Sequence, residues 1–193
     1  MTTQPEIVGM AGTLGSGKDT AADILSSFGY THISTSDIVR AEARERHQSV
    51  DREVLRHTAN ELRTAHGAGA LCLRAMEMFE DRAAPTDERK LVISGIRAVG
   101  EVELVREKSG LMVFVDAPVE VRFARILARL REGDTHPDLE TFRAAENLEL
   151  SAAQAGHQDI NAVRTMSDVL IQNTAGIDEL RDSLIRNVVP GFR

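Results

Sequence analysis

The residues best suited to chemistry form a glycine-rich segment that follows an apolar run at residues 7–10. Glycines let the main chain curl so that successive N–H groups face phosphate oxygens, and a lysine ammonium can reach the outer phosphates. The helix expected from about Asp19 adds its positive N-terminal end to this anion site. The spacing predicts a Walker A phosphate loop that binds ATP through residues 12–20. The segment is Gly12-Thr13-Leu14-Gly15-Ser16-Gly17-Lys18-Asp19-Thr20.

Within this loop, the lysine and the residues after it have separate expected roles. Lys18 is one of only three lysines in the chain, so its position in a phosphate loop carries weight. The usual hydroxyl directly after the lysine is replaced by Asp19, and Thr20 follows. We expect Thr20 to supply the hydroxyl on the Mg²⁺ side and Asp19 to favour the helix N-terminus. The expected nucleotide contacts are Gly12, Leu14, Gly15, Ser16, Gly17, Lys18, Asp19 and Thr20.

The elements that must position this loop alternate between short apolar runs and amphipathic stretches. Such alternation predicts one α/β domain with a parallel sheet. We expect strands at residues 6–10, 31–34, 91–94, 111–115 and 169–172, with helices between them. A helical region at about residues 36–82 and a polar insertion at about residues 131–158 interrupt the pattern. We expect both to belong to a single domain spanning residues 1–193.

Composition and charge narrow the class of protein. The chain has 193 residues and a net charge of −7, which disfavours a general nucleic-acid binder. Its single cysteine, Cys72, excludes a disulfide within the chain and is expected to be a buried helical residue. The six histidines lack metal-ligand spacing. The N-terminus does not resemble a signal peptide and no apolar run approaches membrane length, so we expect a cytoplasmic protein without a membrane partner.

Three further segments carry a resemblance to known kinases. The loop resembles that of adenylate-kinase-like nucleoside monophosphate kinases, and its Lys-Asp-Thr order is similar to that of some deoxynucleotide kinases. Residues 34–40 resemble the Ser-Thr-Gly-Asp-x-x-Arg segment of the first group. Residues 94–97 and 62–67 resemble the Asp-Gly-Ile-Arg and Leu-Arg-x-x-x-Gly segments of dephospho-CoA-kinase-like proteins. Ser94 replaces the aspartate of the former segment.

This resemblance implies a P-loop kinase fold with helices on both faces of a five-stranded parallel sheet, an acceptor-binding helical region and a short lid. It implies that Arg40, Arg63 and Arg97 converge on an acceptor phosphate, because guanidinium groups suit phosphate oxygens. Asp37 is preferred over Asp116 as the carboxylate near the metal or the acceptor. The expected acceptor residues are Thr35, Asp37, Arg40, Arg63 and Arg97.

A lid is expected after the fourth strand. Arg122, Arg125 and Arg129 share one face of a predicted helix, either as solvated residues or, as the resemblance implies, as the arginines of a nucleotide-kinase lid. With Lys18 and Asp37, Arg125 and Arg129 complete the expected catalytic set. The predicted metal residues are Thr20 and Asp37.

The sequence thus predicts a kinase that transfers the γ-phosphate of ATP, with Mg²⁺, to a nucleoside or deoxynucleoside monophosphate. Two alternatives remain open: dephospho-CoA as the acceptor, or a regulatory ATPase without a small-molecule acceptor.

Overall fold

A computed structural model describes residues 5–82, 89–128, 138–151 and 158–190. Its strands form one fully parallel sheet in the order β2-β3-β1-β4-β5. This confirms the predicted α/β class. The strands are β1 (Ile7–Gly12), β2 (Thr31–Ser34), β3 (Leu91–Ile96), β4 (Leu111–Asp116) and β5 (Val169–Gln172).

Helices connect successive strands and cover both faces of the sheet. The long region between β2 and β3 is helical, as predicted, and consists of α2, α3 and α4. The helices are α1 (Lys18–Ser26), α2 (Thr35–Glu45), α3 (Arg52–His66), α4 (Ala70–Arg82), α5 (Val99–Glu107), α6 (Val119–Leu127), α7 (Leu139–Ser151), α8 (Ile160–Met166) and α9 (Ile177–Asn187).

The core has two halves because a parallel sheet is buried on both faces. On one face, Val8 and Met10 of β1 pack with α1 and α9, and Leu25 and Leu184 are fully buried there. The other half joins strand side chains of the opposite face, such as Ile93 and Phe114, to helices α2, α3, α4, α5 and α8. Cys72 lies in this half as a buried helical residue, as predicted, and burial raises the pKa of its thiol well above the ordinary value.

Strand ends differ slightly from the sequence prediction. β2 and β5 have the predicted bounds, whereas β1 and β3 extend two residues further at their carboxyl ends. The added residues are buried and contain glycine, Ala11-Gly12 in β1 and Gly95-Ile96 in β3, and β3 carries an irregularity opposite Met10 and Ala11. The apolar run therefore predicted the body of each strand better than its glycine-containing end.

The carboxyl edge of the sheet is where the chain places its polar loops. Residues following β1, β3, β4 and β5 meet there, which is the edge at which open α/β sheets bind ligands. Helix α7 lies within the predicted polar insertion, whose residues 131–137 and 152–157 fall outside the described residues. Over the described ranges, no helix is both long and apolar enough to cross a membrane.

Candidate functional site

The phosphate loop joins β1 to α1 through glycines in left-handed conformations. Gly15 has φ 79° and Gly17 has φ 93°, values that side chains with a Cβ rarely adopt. Gly17 is also the N-cap residue of α1, so the helix begins at Lys18. A Cβ on Gly17 would lie 2.4 Å from Nδ2 of Asn173, so the loop also needs glycine there for space.

Two side chains from other elements donate hydrogen bonds to the main chain of the loop. Asn173, which follows β5, donates from Nδ2 to the Ser16 carbonyl at 2.7 Å. Arg125 of α6 donates to the same carbonyl at 3.2 Å and to the Asn173 carbonyl at 3.0 Å. Asn173 is 7% exposed, so these bonds lie in a largely dry environment. The loop is therefore tied to the end of the sheet and to α6.

Asp116, at the end of β4, holds the other side of the loop. Its Oδ1 accepts from the Thr13 hydroxyl and from the Ala117 N–H, both at 2.9 Å. Its Oδ2 lies 3.3 Å from Nη1 of Arg164. Asp116 is thus engaged with the first turn of the loop.

The loop has the features of a phosphate-binding site. Lys18 is the first residue of α1 with its side chain 13% exposed, and Thr20 is half-buried in the same turn. Ser16 is fully buried, and within the described part of the chain its Oγ has no hydrogen-bond partner. Left-handed glycines, a lysine and an unsatisfied hydroxyl at a helix N-terminus suit phosphate oxygens.

A small pocket brings one predicted acceptor residue to the loop. Arg97, just beyond β3, lines this pocket with the first residues of the phosphate loop, and the remaining wall comes from α7 and the start of α8. Arg97 and the loop originate on adjacent strands, so the sheet itself sets their proximity. The lining residues are Gly12, Thr13, Leu14, Arg97, Glu146, Gln158 and Ile160.

Two other predicted acceptor residues contact the segment around Arg97, one at the turn before it and one in helix α5 after it. The Thr35 hydroxyl, buried at the start of α2, donates to the Gly95 carbonyl at 2.9 Å. Arg63 of α3 is 3% exposed and pairs with the fully buried Glu101 of α5, with Nη2–Oε1 at 2.7 Å. Neither lines the pocket described above. Their assignment to the acceptor stays a prediction.

The predicted pair Asp37 and Arg40 lies on the outer face of α2. The Asp37 carboxylate accepts from Nη1 of Arg40 at 2.8 Å, and their side chains are 74% and 42% exposed. The structure brings neither residue to the pocket beside the loop. Their assignment to the metal and the acceptor stays a prediction.

A hydrogen-bonded chain occupies the place where related motifs carry aspartate. Ser94 of β3 is fully buried, and its Oγ lies 2.8 Å from Nε2 of His32 on β2. Nδ1 of His32 lies 3.1 Å from Oδ1 of Asp23 on α1. These hydrogen bonds connect α1, β2 and β3. Because Ser94 is inaccessible, its hydroxyl does not present a nucleophile.

Helix α6 packs its arginines against the protein, contrary to the solvated alternative. Arg122 is 6% exposed and forms a forked pair with Glu146 of α7, and its Nη1 also lies 3.3 Å from the Leu14 carbonyl. Arg125 contacts the loop as described above. Arg129, predicted as the third arginine of this face, lies outside the described residues.

The sequence interpretation missed Asn173, Glu101 and Glu146. Asn173 directly follows an apolar strand, so the rule that placed Arg97 at the ligand-binding edge also applies to it. Glu101 lies four residues after Arg97, at a helix start where a glutamate side chain can accept from main-chain N–H groups. Glu146 is one of several acids in a polar stretch, and nothing in the sequence distinguishes it.

In the described ranges, no cluster of three or more His, Cys, Asp or Glu residues is arranged to hold a metal ion. Magnesium bound together with nucleotide phosphates needs only one or two protein ligands. The half-buried Thr20 remains compatible with that arrangement.

Comparison with known proteins agrees with this architecture. Residues 8–149 match a family model described as an AAA domain. A UPF0200 protein of Halobacterium salinarum is 33% identical over 181 residues, which covers 92% of this chain and 90% of that protein.

Among solved structures, TT1252 from Thermus thermophilus has a TM-score of 0.56 at 22% identity, covering 99% of this chain and 100% of that one. A shikimate kinase from Bacteroides thetaiotaomicron has a TM-score of 0.56 at 14% identity, covering 93% and 96%. At these identities the structural similarity concerns the fold. The sequence matches show that the chain belongs to the UPF0200 family and carries an AAA domain, and its sheet has the fold of the kinase neighbour.

Proposed function

We propose that this protein is a phosphotransferase that moves the γ-phosphate of ATP to a small nucleotide-like acceptor, a nucleoside or deoxynucleoside monophosphate. The observation that carries the proposal is the pocket in which Arg97 lies beside residues 12–14 of the phosphate loop. A guanidinium next to a phosphate loop suits an anionic acceptor held close to the donor phosphates.

Phosphoryl transfer depends mainly on positioning and charge neutralisation. The loop N–H groups and Lys18 hold the donor phosphates, and Arg97 binds the anionic group of the acceptor. An acceptor oxygen forms a bond to the γ-phosphorus while the bond to the β–γ bridging oxygen breaks, and ADP leaves. Arg125, which contacts the Ser16 carbonyl, adds positive charge near the transferred group, while the charge of Arg122 is balanced by Glu146.

Magnesium bound with ATP would lie beside Thr20, with Asp37 as the proposed carboxylate, and would neutralise phosphate charge. Asp37 lies on α2 and pairs with Arg40, so it must exchange this partner to serve the metal. The proposal assigns catalytic roles to Lys18, Asp37, Arg125 and Arg129.

A second function is favoured by one observation. The buried Ser94 hydroxyl bonds to His32 where related motifs carry an acidic residue, so that position supplies no carboxylate. A site lacking that carboxylate suits slow ATP hydrolysis in a regulatory protein. This candidate differs from the first because its turnover would not depend on an acceptor.

The test measures ADP formation from ATP and Mg²⁺ across nucleoside and deoxynucleoside monophosphates. Dephospho-CoA is included for the alternative acceptor, and shikimate is included because a structural neighbour is a shikimate kinase. We expect one acceptor to stimulate turnover and to appear as the phosphorylated product.

Lys18→Ala should abolish this turnover, and Lys108→Ala is the matched control. Lys108 is an exposed residue at the far end of α5, so its loss should leave turnover unchanged. Turnover equal for every acceptor and for none would refute the kinase proposal and favour the regulatory ATPase. Turnover that survives Lys18→Ala would refute both.

A further inference from the structure

The main chain of Arg97 is held by contacts from both sides of the turn. Its N–H donates to Oε2 of Glu101 at 2.8 Å, and its carbonyl accepts from the Asp159 N–H at 2.9 Å. The neighbouring Ala98 N–H also donates to Oε2 of Glu101, at 3.1 Å. The main chain of Arg97, a residue that lines the pocket, is therefore held in part by the Glu101 carboxylate.

Glu101 is in turn placed by Arg63. Its Oε1 accepts from Nε of Arg63 at 3.0 Å and from Nη2 at 2.7 Å, so each carboxylate oxygen has two donors. Glu101 is fully buried and Arg63 is 3% exposed. A buried carboxylate with four donors in fixed directions has one favourable position, which α3 determines through Arg63.

Stability alone gives little reason for this arrangement. Removing two charges from water is costly, and a well-packed apolar pair of similar volume is often as stable as a buried ion pair. Within the described part of the chain, Nη1 of Arg63 also has no hydrogen-bond partner, which adds to that cost. An apolar pair could not bind the N–H groups of Arg97 and Ala98, and that binding is what the ion pair adds.

We infer that Arg63 and Glu101 are positioning residues that hold Arg97 beside the phosphate loop, and that Arg63 does not itself bind the acceptor. The inference rests on the proposed function only in assigning Arg97 to the acceptor. Arg63 acts on Glu101, Glu101 fixes the turn after β3, and the turn directs Arg97.

The test replaces both members of the pair, in R63M/E101M. Two apolar side chains avoid leaving one buried charge alone, so we expect this variant to fold. Acceptor-dependent kcat/KM should fall by about tenfold to a hundredfold, mainly through the acceptor KM, because a small misplacement of a binding group has effects of this size. The KM for ATP should stay unchanged.

A cycle with Arg97→Met separates positioning from general damage. If the pair acts only through Arg97, R63M/E101M should cause no further loss of kcat/KM in the Arg97→Met background. An equal loss in both backgrounds, or no loss in R63M/E101M alone, would overturn the inference.

Asp168→Asn is a matched control. Asp168 also joins an arginine side chain, that of Arg106 at 2.8 Å, to a main-chain N–H, that of Met112 at 2.8 Å. It lies at the opposite edge of the sheet, where β4 begins. Its substitution should lower stability without changing the acceptor KM.

One measurement is independent of any acceptor. The backbone order parameter of the Arg97 amide, measured by NMR relaxation on the unliganded protein, should fall in R63M/E101M and stay unchanged in Asp168→Asn. An unchanged Arg97 amide in R63M/E101M would overturn the inference without affecting the proposed function. Absence of turnover with every acceptor in the unsubstituted protein would refute the proposed function, and the order parameter would still decide the positioning role.

Discussion

The close approach between Gly17 and Asn173 predicts a large effect for Gly17→Ala. The left-handed conformation of residue 17 (φ 93°) costs an alanine about 1–2 kcal/mol. The new Cβ would also lie 2.4 Å from Nδ2 of Asn173, which must move. The Ser16 carbonyl then loses the 2.7 Å hydrogen bond from the Asn173 side-chain amide, at a cost of about 1–3 kcal/mol. We expect the free energy of unfolding to fall by about 2–5 kcal/mol in total.

Gly29→Ala is the control that isolates the backbone cost. Gly29 has φ 89°, and no described atom lies within 4 Å of a Cβ built on it. This variant should lose only about 1–2 kcal/mol. In an Asn173→Ala background the close contact is absent, so Gly17→Ala should cost no more than Gly29→Ala does. Urea denaturation with linear extrapolation measures the free energy of unfolding of the unsubstituted protein, the three single variants and the Gly17→Ala/Asn173→Ala double variant.

Two results would refute this reasoning. If Gly17→Ala destabilises the protein no more than Gly29→Ala, the contact with Asn173 carries no energy. If Gly17→Ala costs as much with Asn173→Ala as without it, the two residues are uncoupled and Asn173 does not support the loop.

Two further predictions concern other parts of the molecule. Burial raises the pKa of Tyr30 to about 12, and its hydroxyl donates to the Pro5 carbonyl at 2.7 Å. The stability that the neutral phenol contributes is therefore full below about pH 10 and is lost as pH rises through about 12. Tyrosinate absorbance reports this group alone, since the chain has one tyrosine and no tryptophan; an ordinary pKa near 10, or Tyr30→Phe with the same alkaline loss of stability, would contradict the prediction. Arg122→Ala should lower the free energy of unfolding by about 2–4 kcal/mol because it leaves the Glu146 carboxylate in a largely buried site. Arg143→Ala, which removes the exposed pair with Glu120, is the control and should cost less than about 1 kcal/mol in the same urea assay. Equal losses in the two variants would show that burial of the Arg122 pair has no energetic effect.

The sequence predicted the fold well because four of the five strands carry an apolar run. β2 and β5 have the predicted bounds, and the phosphate loop joins the strand and helix where expected. Arg97 could be expected at the ligand-binding edge because it follows the end of a predicted strand. These features depend on local pattern, which a sequence carries.

The partners of charged side chains were harder to predict. Arg63 pairs with a residue 38 positions away and Arg122 with one 24 positions away. Spacing along one helix indicates which face a residue shares, but the packing of a second helix decides whether that face is buried. For this reason Arg63 was placed on the acceptor and Arg122 was compatible with solvent, while the structure buries both.

The bonds that Asn173, Arg125 and Asp116 make to the phosphate loop have a consequence for binding thermodynamics. The loop is fixed by protein contacts at the Ser16 carbonyl and the Thr13 hydroxyl, so its ordering entropy is lost during folding and not during nucleotide binding. Nucleotide association should therefore resemble docking onto a preformed surface. Because the same bonds connect the loop to β5, bound nucleotide should slow amide hydrogen exchange in that strand, at a distance from the phosphates.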